Sequence, residues 1–377
     1  GRRMPQFPVG GERPVLVVGR GLTAAATAGF LDQAGLDPVV APTAERGRAA
    51  GVTVLWRPGL VLLERIGLRR PIERVGTVLE SHRCLTSGRS ATAEGADRPA
   101  LVAVDRARLA ALVEASVGDR IRSVDRPVRR VEPGGSGVRV EFEGGLAESF
   151  DAVVTTTRSL LVDGPAPPTD RRIHSWSFDW PTDRPTPPAP AEAWDGRRAA
   201  LFVPTDDRTH VRLVSTVGND AASALSIADL EQRFGGLFEA VSQPFDALDL
   251  QDLRYTRSAA MTPVTVTADG VVMVGAAGRP TLPGDCLGAA LDIEEAWVLA
   301  DALAYGPEGV DAALEAYQRR RQRRQRVIAD TVAGMSDDPA AGLDPTLHWI
   351  RTRRRLAFQH VYDGRLPALA ESVPDRL

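Results

Sequence analysis

The chain predicts an α/β fold in which a parallel sheet, wound by helices, is interrupted by a second, mixed sheet. Three observations carry that expectation. Val15-Leu16-Val17-Val18 is a short, continuous apolar run rich in β-branched residues, the pattern of a strand covered on both faces. Gly19-Arg20-Gly21-Leu22-Thr23-Ala24 follows at once and matches G-x-G-x-x-G/A. Small and apolar helix formers then run from Ala24 to Ala34, Gly35 supplies a C-terminal stop, and Val39-Val40 opens a second strand.

The spacing of the first turn has a chemical reading. Gly19 permits the tight turn, Gly21 leaves room for a pyrophosphate against the backbone, and Ala24 lets the helix pack closely on the sheet. The N-terminal end of the helix dipole then faces the phosphates. An acid at the end of the second strand would complete a ribose site, but Ala41 and Pro42 stand there. Arg46 and Arg48 lie a few residues on, not adjacent to the strand end, so a 2′-phosphate site is not favoured.

Further along, Trp56-Arg57-Pro58 opens a helix through Leu60, Leu62, Leu63 and Ile66, closed by Gly67. Asp105-Arg106 starts another, with Leu109, Leu112, Val113 and Ser116 on one face. Strands are expected at Val128–Val131 and Val138–Phe142, joined by a glycine-rich hairpin, and at Phe150–Val154. Residues 164–190 hold many prolines and read as an irregular crossing. Leu201–Pro204 and His210–Val214 flank an Asp206-Asp207 turn, and Gly270–Val274 returns to the buried type of strand. Long helices are expected from Gly288 to Ala304 and over 309–334, the second with a dense Arg face. The tail predicts a short helix near Leu347–Phe358, and residues 1–12 an irregular leader.

Composition excludes several classes. The chain has 377 residues, a net charge of −3, and 43% hydrophobic against 25% charged residues, which suits a globular protein with a large core. All 46 basic residues are Arg, so no Lys is present to form a Schiff base or bind phosphate in a P-loop. The two cysteines, Cys84 and Cys286, fit a reducing cytoplasm rather than a disulfide framework. No two of His82, His174, His210, His348 and His360 have metal-ligand spacing, so no metal site is expected. No apolar run approaches the roughly 18 residues of a membrane span, and no G-x-S-x-G elbow occurs. The Arg clusters at 319–326 and 351–355 lack interleaved aromatic residues and read as solvated or packed faces rather than a nucleic-acid site. Trp176-Ser177-Phe178-Asp179-Trp180 reads as core or as a wall of the second sheet.

The order of elements resembles the aromatic-hydroxylase class of FAD-dependent monooxygenases, the group with the p-hydroxybenzoate hydroxylase fold. Val15–Val40, Trp56–Leu68, Asp105–Ala115 and Val271–Ala296 carry the resemblance. The last is the most specific. Where the family writes G-D-A-A-H-P, a spacer, P-x-x-G-x-G and then Glu-Asp-Ala, this chain has Gly275-Ala276-Ala277-Gly278-Arg279-Pro280. Pro283-Gly284-Asp285-Cys286-Leu287-Gly288 and Glu294-Glu295-Ala296 follow in register.

The resemblance implies a discontinuous Rossmann-like FAD-binding domain over 13–80, 100–163 and 265–335, with a mixed-sheet substrate layer over 81–99 and 164–264 and a helical tail over 336–377. It implies that Gly19, Gly21 and Ala24 cradle the FAD pyrophosphate and that Arg106 reaches the ADP half. Gly275, Arg279, Pro283 and Gly288 would line the ribityl chain and isoalloxazine. NAD(P)H would act as transient reductant and O2 would oxygenate a small organic substrate, of aromatic, polyketide or isoprenoid type, in a monomer or homodimer. No catalytic side chain is named, because the chemistry of the class rests on the flavin.

Departures from the pattern fall at cofactor contacts. Ala41 and Ala276 replace two acids, Thr155-Thr156-Thr157-Arg158 replaces a G-A-D-G-like run, and Arg279, Cys286 and Ala290 replace His, Gly and Asn. Loss of two charged hydrogen-bonding groups corresponds to about 3–6 kcal/mol, or roughly two to four decades of affinity. The sequence therefore leaves open an altered relative on the same scaffold, acting as a flavin-independent enzyme or binding protein, and a flavin-dependent dehydrogenase or reductase.

Overall fold

The computed structural model describes residues 14–43, 51–55, 57–79, 83–86, 89–92, 101–135, 137–157, 172–180, 191–195, 198–215, 226–237, 245, 248–249, 252–259, 267–278 and 288–334. The helices used below are α1 (Leu22–Gln33), α2 (Arg57–Arg65), α3 (Arg69–Val75), α4 (Arg106–Val117), α5 (Ile227–Phe234), α6 (Gly288–Tyr305) and α7 (Val310–Gly334).

Val15–Val18 lies inside a six-stranded sheet, parallel to Pro38–Ala41 on one side and Ala152–Thr155 on the other. Val271–Met273 continues the parallel run beyond Ala152–Thr155. All four residues of Val15–Val18 are buried, as their unbroken apolar pattern requires. One face of this sheet meets α1, α6 and the apolar sides of α2 and α4 in the largest core cluster. The other rests on the antiparallel sheet of Val128–Gly134, Gly137–Phe142 and Ala147–Phe150, which buries Phe142 and Phe150 against Leu16 and Val18.

Local sequence sets the helix boundaries. Gly35, at φ 85°, follows α1 in the left-handed conformation that ends a helix, and Gly67, at φ 78°, follows α2 in the same way. Asp105 caps α4, its Oδ1 accepting the Ala107 and Arg108 amides at 2.9 and 3.1 Å. The buried face of α4 is Leu109, Ala110, Val113 and Val117, so Leu112 and Ser116 sit closer to its edge than the periodicity suggests.

The second sheet has seven strands, in the order 254–259, 172–179, 209–215, 198–204, 191–195, 83–86 and 89–92. It is mixed, since Arg83–Thr86 pairs parallel with Ala191–Asp195 and its other ladders are antiparallel. Alternation gives its strands two different faces. Ala199, Leu201, Val203 and Val214 join the main core, whereas Trp176, Phe178, Phe202 and Leu213 pack on Leu230 and Phe234 of α5.

Two sequence expectations need correction. Phe150–Val154 is not one strand: Phe150 closes the antiparallel sheet, Asp151 breaks the chain, and Ala152 begins the parallel strand. The Pro-rich stretch contains an eight-residue strand, Arg172–Asp179, whose alternating Trp176 and Phe178 bury against α5 once its ladders form. The expected tail helix near 347–358 lies outside the described residues.

Candidate functional site

The carboxyl ends of the parallel strands meet at one edge of the sheet, where open α/β sheets hold their ligands. Backbone bonds tie the ends together: Gly19 donates to the Ala41 carbonyl at 2.9 Å, Thr156 to Val18 at 3.1 Å, and Val274 to Thr155 at 3.0 Å. Gly19 adopts φ 145°, and a Cβ on it would strike the Thr156 hydroxyl. Thr156 is held there because its Oγ1 also donates to the Val18 carbonyl at 3.1 Å. Gly21 caps α1 at φ 90°, and a Cβ there would meet no atom within 4 Å. The first turn of α1 carries no acid of its own, and the Gly21 amide at its start donates to Glu114 Oε1 of α4 at 3.1 Å. Ala24 is 1% exposed and belongs to the core cluster between α1 and the sheet.

Behind this turn, α6 delivers acids to three directions. Asp292, 2% exposed at its side chain, accepts the Thr23 hydroxyl at 3.0 Å and the Arg106 guanidinium at 3.2 Å, both at Oδ2. Glu295 Oε2 accepts the Gly275 amide at 2.8 Å. Arg321 of α7, also buried, reaches Glu294 and Glu295 at 3.7 Å each. Gly275 itself has φ 82°, and a Cβ on it would press on the Thr23 methyl at 3.0 Å. Gln325 donates to the Gly278 carbonyl at 3.5 Å, so α6 holds one end of this short turn and α7 the other.

The structure thus brings Gly19, Gly21, Ala24, Arg106 and Gly275 to one edge, and Gly288 begins the buried helix that carries Asp292. Arg279, Pro283, Arg158 and Cys286 lie outside the described residues. Ala276 is exposed, whereas the Ala41 side chain is fully buried among Leu16, Val18 and Val128. Ala290 packs against α2, 3.6 Å from where a Gly59 Cβ would stand. Asp292 was not named from the sequence, and Thr23, Thr156, Glu295 and Arg321 were quoted only within longer motifs, without these partners or roles. One signal was present: four acids, Asp292, Glu294, Glu295 and Asp301, in a largely apolar helix must each have a partner if the helix is buried. Among the described residues no cluster of His, Cys, Asp and Glu could hold a metal ion.

A second polar network joins α4 to the seven-stranded sheet. Asp105 Oδ2 pairs with Arg208 at 3.0 Å, Arg208 with Asp179 at 3.4 Å, and Asp179 with His210 Nδ1 at 3.2 Å. Burial pushes the His210 imidazole below its ordinary value despite the Asp179 carboxylate, which acts the other way. The hydrogen bond from His210 in turn holds the Asp179 carboxyl below its usual range. Both directions fit a neutral imidazole donating its Nδ1 proton to a charged carboxylate. On the sheet face opposite Trp176 stand Ser175, Ser177 and Arg212, partly exposed, with Thr256 beside them.

No family model matches the chain. The FAD-dependent urate hydroxylase of Mycolicibacterium vanbaalenii is 24% identical over 340 residues, covering 82% of this chain and 84% of the relative. Among solved structures, Pseudomonas aeruginosa PqsL in complex with 2-aminobenzoylacetate aligns with a TM-score of 0.71 at 21% identity, over 90% of this chain and 99% of PqsL. Klebsiella pneumoniae HpxO, complexed with FAD and uric acid, aligns with a TM-score of 0.65 at 20% identity, over 96% and 94% of the two chains. The fold is that of the FAD-dependent monooxygenases.

Within the monooxygenase fold, the residues present suit a dinucleotide. Gly19 and Gly21 leave the backbone bare where a side chain would intrude, the α1 terminus offers amides and a positive dipole end, and Arg106 adds a fixed cation nearby. Among the described residues no helix is long and apolar enough to cross a membrane.

Proposed function

We propose that this protein is an FAD-dependent monooxygenase that hydroxylates a small aromatic or heterocyclic substrate, with NAD(P)H as transient reductant and O2 as co-substrate. The observation that carries the reading is the open, glycine-lined N-terminus of α1 at the converging strand ends, backed by Arg106. The urate hydroxylase relative and the PqsL and HpxO neighbours support it by their names and ligands. We further take it to work in the cytoplasm as a monomer or homodimer.

Gly19, Gly21 and the first amides of α1 would hold the pyrophosphate, and Arg106 would lie against the same charged group. Gly275 and the turn to Gly278 would border the ribityl chain. FAD held there would supply the redox chemistry, hydride acceptance from the nicotinamide and activation of O2. The chain positions and dries the site. Asp292 fixes the Arg106 guanidinium and the Thr23 hydroxyl, so neither must be ordered when ligand arrives. Glu295 holds the Gly275 amide, and with it the start of this turn, in place. The hydroxyls of Ser175, Ser177 and Thr256, with Arg212, form a polar sheet face suited to orienting a planar substrate rich in carbonyl and N–H groups.

The decisive experiment is the visible spectrum of the purified protein, alone and during titration with FAD. Flavin bands retained on desalting, followed by urate-stimulated or aromatic-stimulated NAD(P)H oxidation, are expected. A protein that stays colourless and fails to bind FAD at high micromolar concentration overturns the reading.

A further inference from the structure

Helix α4 lies along α1, and its third turn places Glu114 beside the mouth of the dinucleotide site. Glu114 Oε1 accepts the Gly21 amide at 3.1 Å. Gly21 is the N-cap of α1, so this N–H points where the helix dipole and the open space would receive a phosphate. The first turn of α1 contains no acid, which leaves Glu114 as the anion that serves this helix end. Among the described residues no cation pairs with Glu114, whereas Asp292 is paired with Arg106 and Glu295 with Arg321. Glu114 is exposed.

A carboxylate and a pyrophosphate seek the same donor and the same positive potential, and they repel one another. We infer that Glu114 is a built-in competitor of the FAD pyrophosphate: it occupies the Gly21 amide in the free protein and must swing away before the cofactor is seated. The inference rests on the reading that this edge binds FAD. It gives a physical source for weakened cofactor affinity that is separate from Ala41 and Ala276, because it adds a repulsion instead of removing a contact. Its site is also reversible, since an exposed Glu side chain rotates without unfolding α4.

The test compares the full-length protein with Glu114→Gln and Glu114→Ala, titrating FAD by flavin fluorescence and ADP by calorimetry. Both ligands carry the diphosphate. Both variants are expected to bind each about tenfold more tightly, which corresponds to about 1.4 kcal/mol, with helical circular dichroism unchanged. If the wild-type protein binds FAD and both variants bind it equally well, the competitor role is overturned and the FAD reading stands. Weaker binding by the variants also overturns it, and makes Glu114 a cofactor ligand. Failure of all three proteins to bind FAD overturns the site assignment and this inference with it.

Discussion

Replacing Gly19 by Ala tests the geometry of the first turn with a magnitude that the structure supplies. The substitution imposes φ 145° on a residue with a side chain, a strain of about 1–3 kcal/mol. The new Cβ also lands on the Thr156 hydroxyl, with the Thr156 Cβ and Cγ2 at 3.2 and 3.3 Å. Thr156 cannot yield freely, because rotation breaks its bond to the Val18 carbonyl, worth about 1 kcal/mol. Overpacking adds about 1–3 kcal/mol, so the total for Gly19→Ala is about 3–7 kcal/mol by urea denaturation. Pairing it with Thr156→Ala removes Oγ1 and Cγ2 and leaves the backbone strain. The double-mutant cycle should therefore give a favourable coupling of about 1–3 kcal/mol. A coupling below about 0.5 kcal/mol would show that Gly19 and Thr156 do not meet, and the strand ends would not converge as described.

Three further outcomes follow from the same structure. Arg321→Met leaves Glu294 and Glu295 buried without their shared cation and should cost about 3–5 kcal/mol in urea midpoint-derived stability. Ala41→Glu, the graft that the sequence invites as a means of restoring the ribose acid and tightening FAD, places a carboxylate in a fully buried position. It should destabilise the protein by about 1–3 kcal/mol without improving FAD affinity. For His210, the folded value lies below 6.5, so the unfolded chain takes up the proton first as pH falls. Its contribution is complete above pH 6.5 and declines below it toward the lowered folded value. Urea midpoints between pH 8 and 5.5 should show this slope, and His210→Asn should flatten it. Asp179, whose ordinary value is 3.8, titrates below this range.

What could be read in the sequence was what is local. The Gly19 and Gly21 pattern, the stops at Gly35 and Gly67 and the Asp105 cap each depend on neighbours a few residues away, and each is found where the spacing puts it. Arg172–Asp179 was hidden because prolines flank it and its strand character comes from two antiparallel partners at 209–215 and 254–259. The split after Phe150 was hidden for a related reason. Phe150 and Val153 are equally apolar, and only the fold assigns them to different sheets. The site's polar pairs are long-range. Thr23 meets Asp292 across 269 positions and Thr156 meets Val18 across 138, and no periodicity encodes such distances.

The acids of α6 raise the question of why a buried helix keeps charges at all, since a buried ion pair seldom stabilises more than apolar residues of similar size. Their directions supply an answer. Asp292 is turned toward α1 and α4, Glu295 toward the Gly275 turn, and Glu294 with Glu295 toward α7. Apolar contacts are non-directional and would let these pieces slide by fractions of an ångström without much penalty. Hydrogen bonds to the Asp292 and Glu295 carboxylates fix both distance and angle, and the 3.7 Å ion pairs to Arg321 add a distance constraint. The pieces they fix come from four separate stretches of chain, and together they border the place proposed for the cofactor. Specification of one arrangement, at little net gain in stability, is therefore the physical role that the pattern of acids on α6 supports.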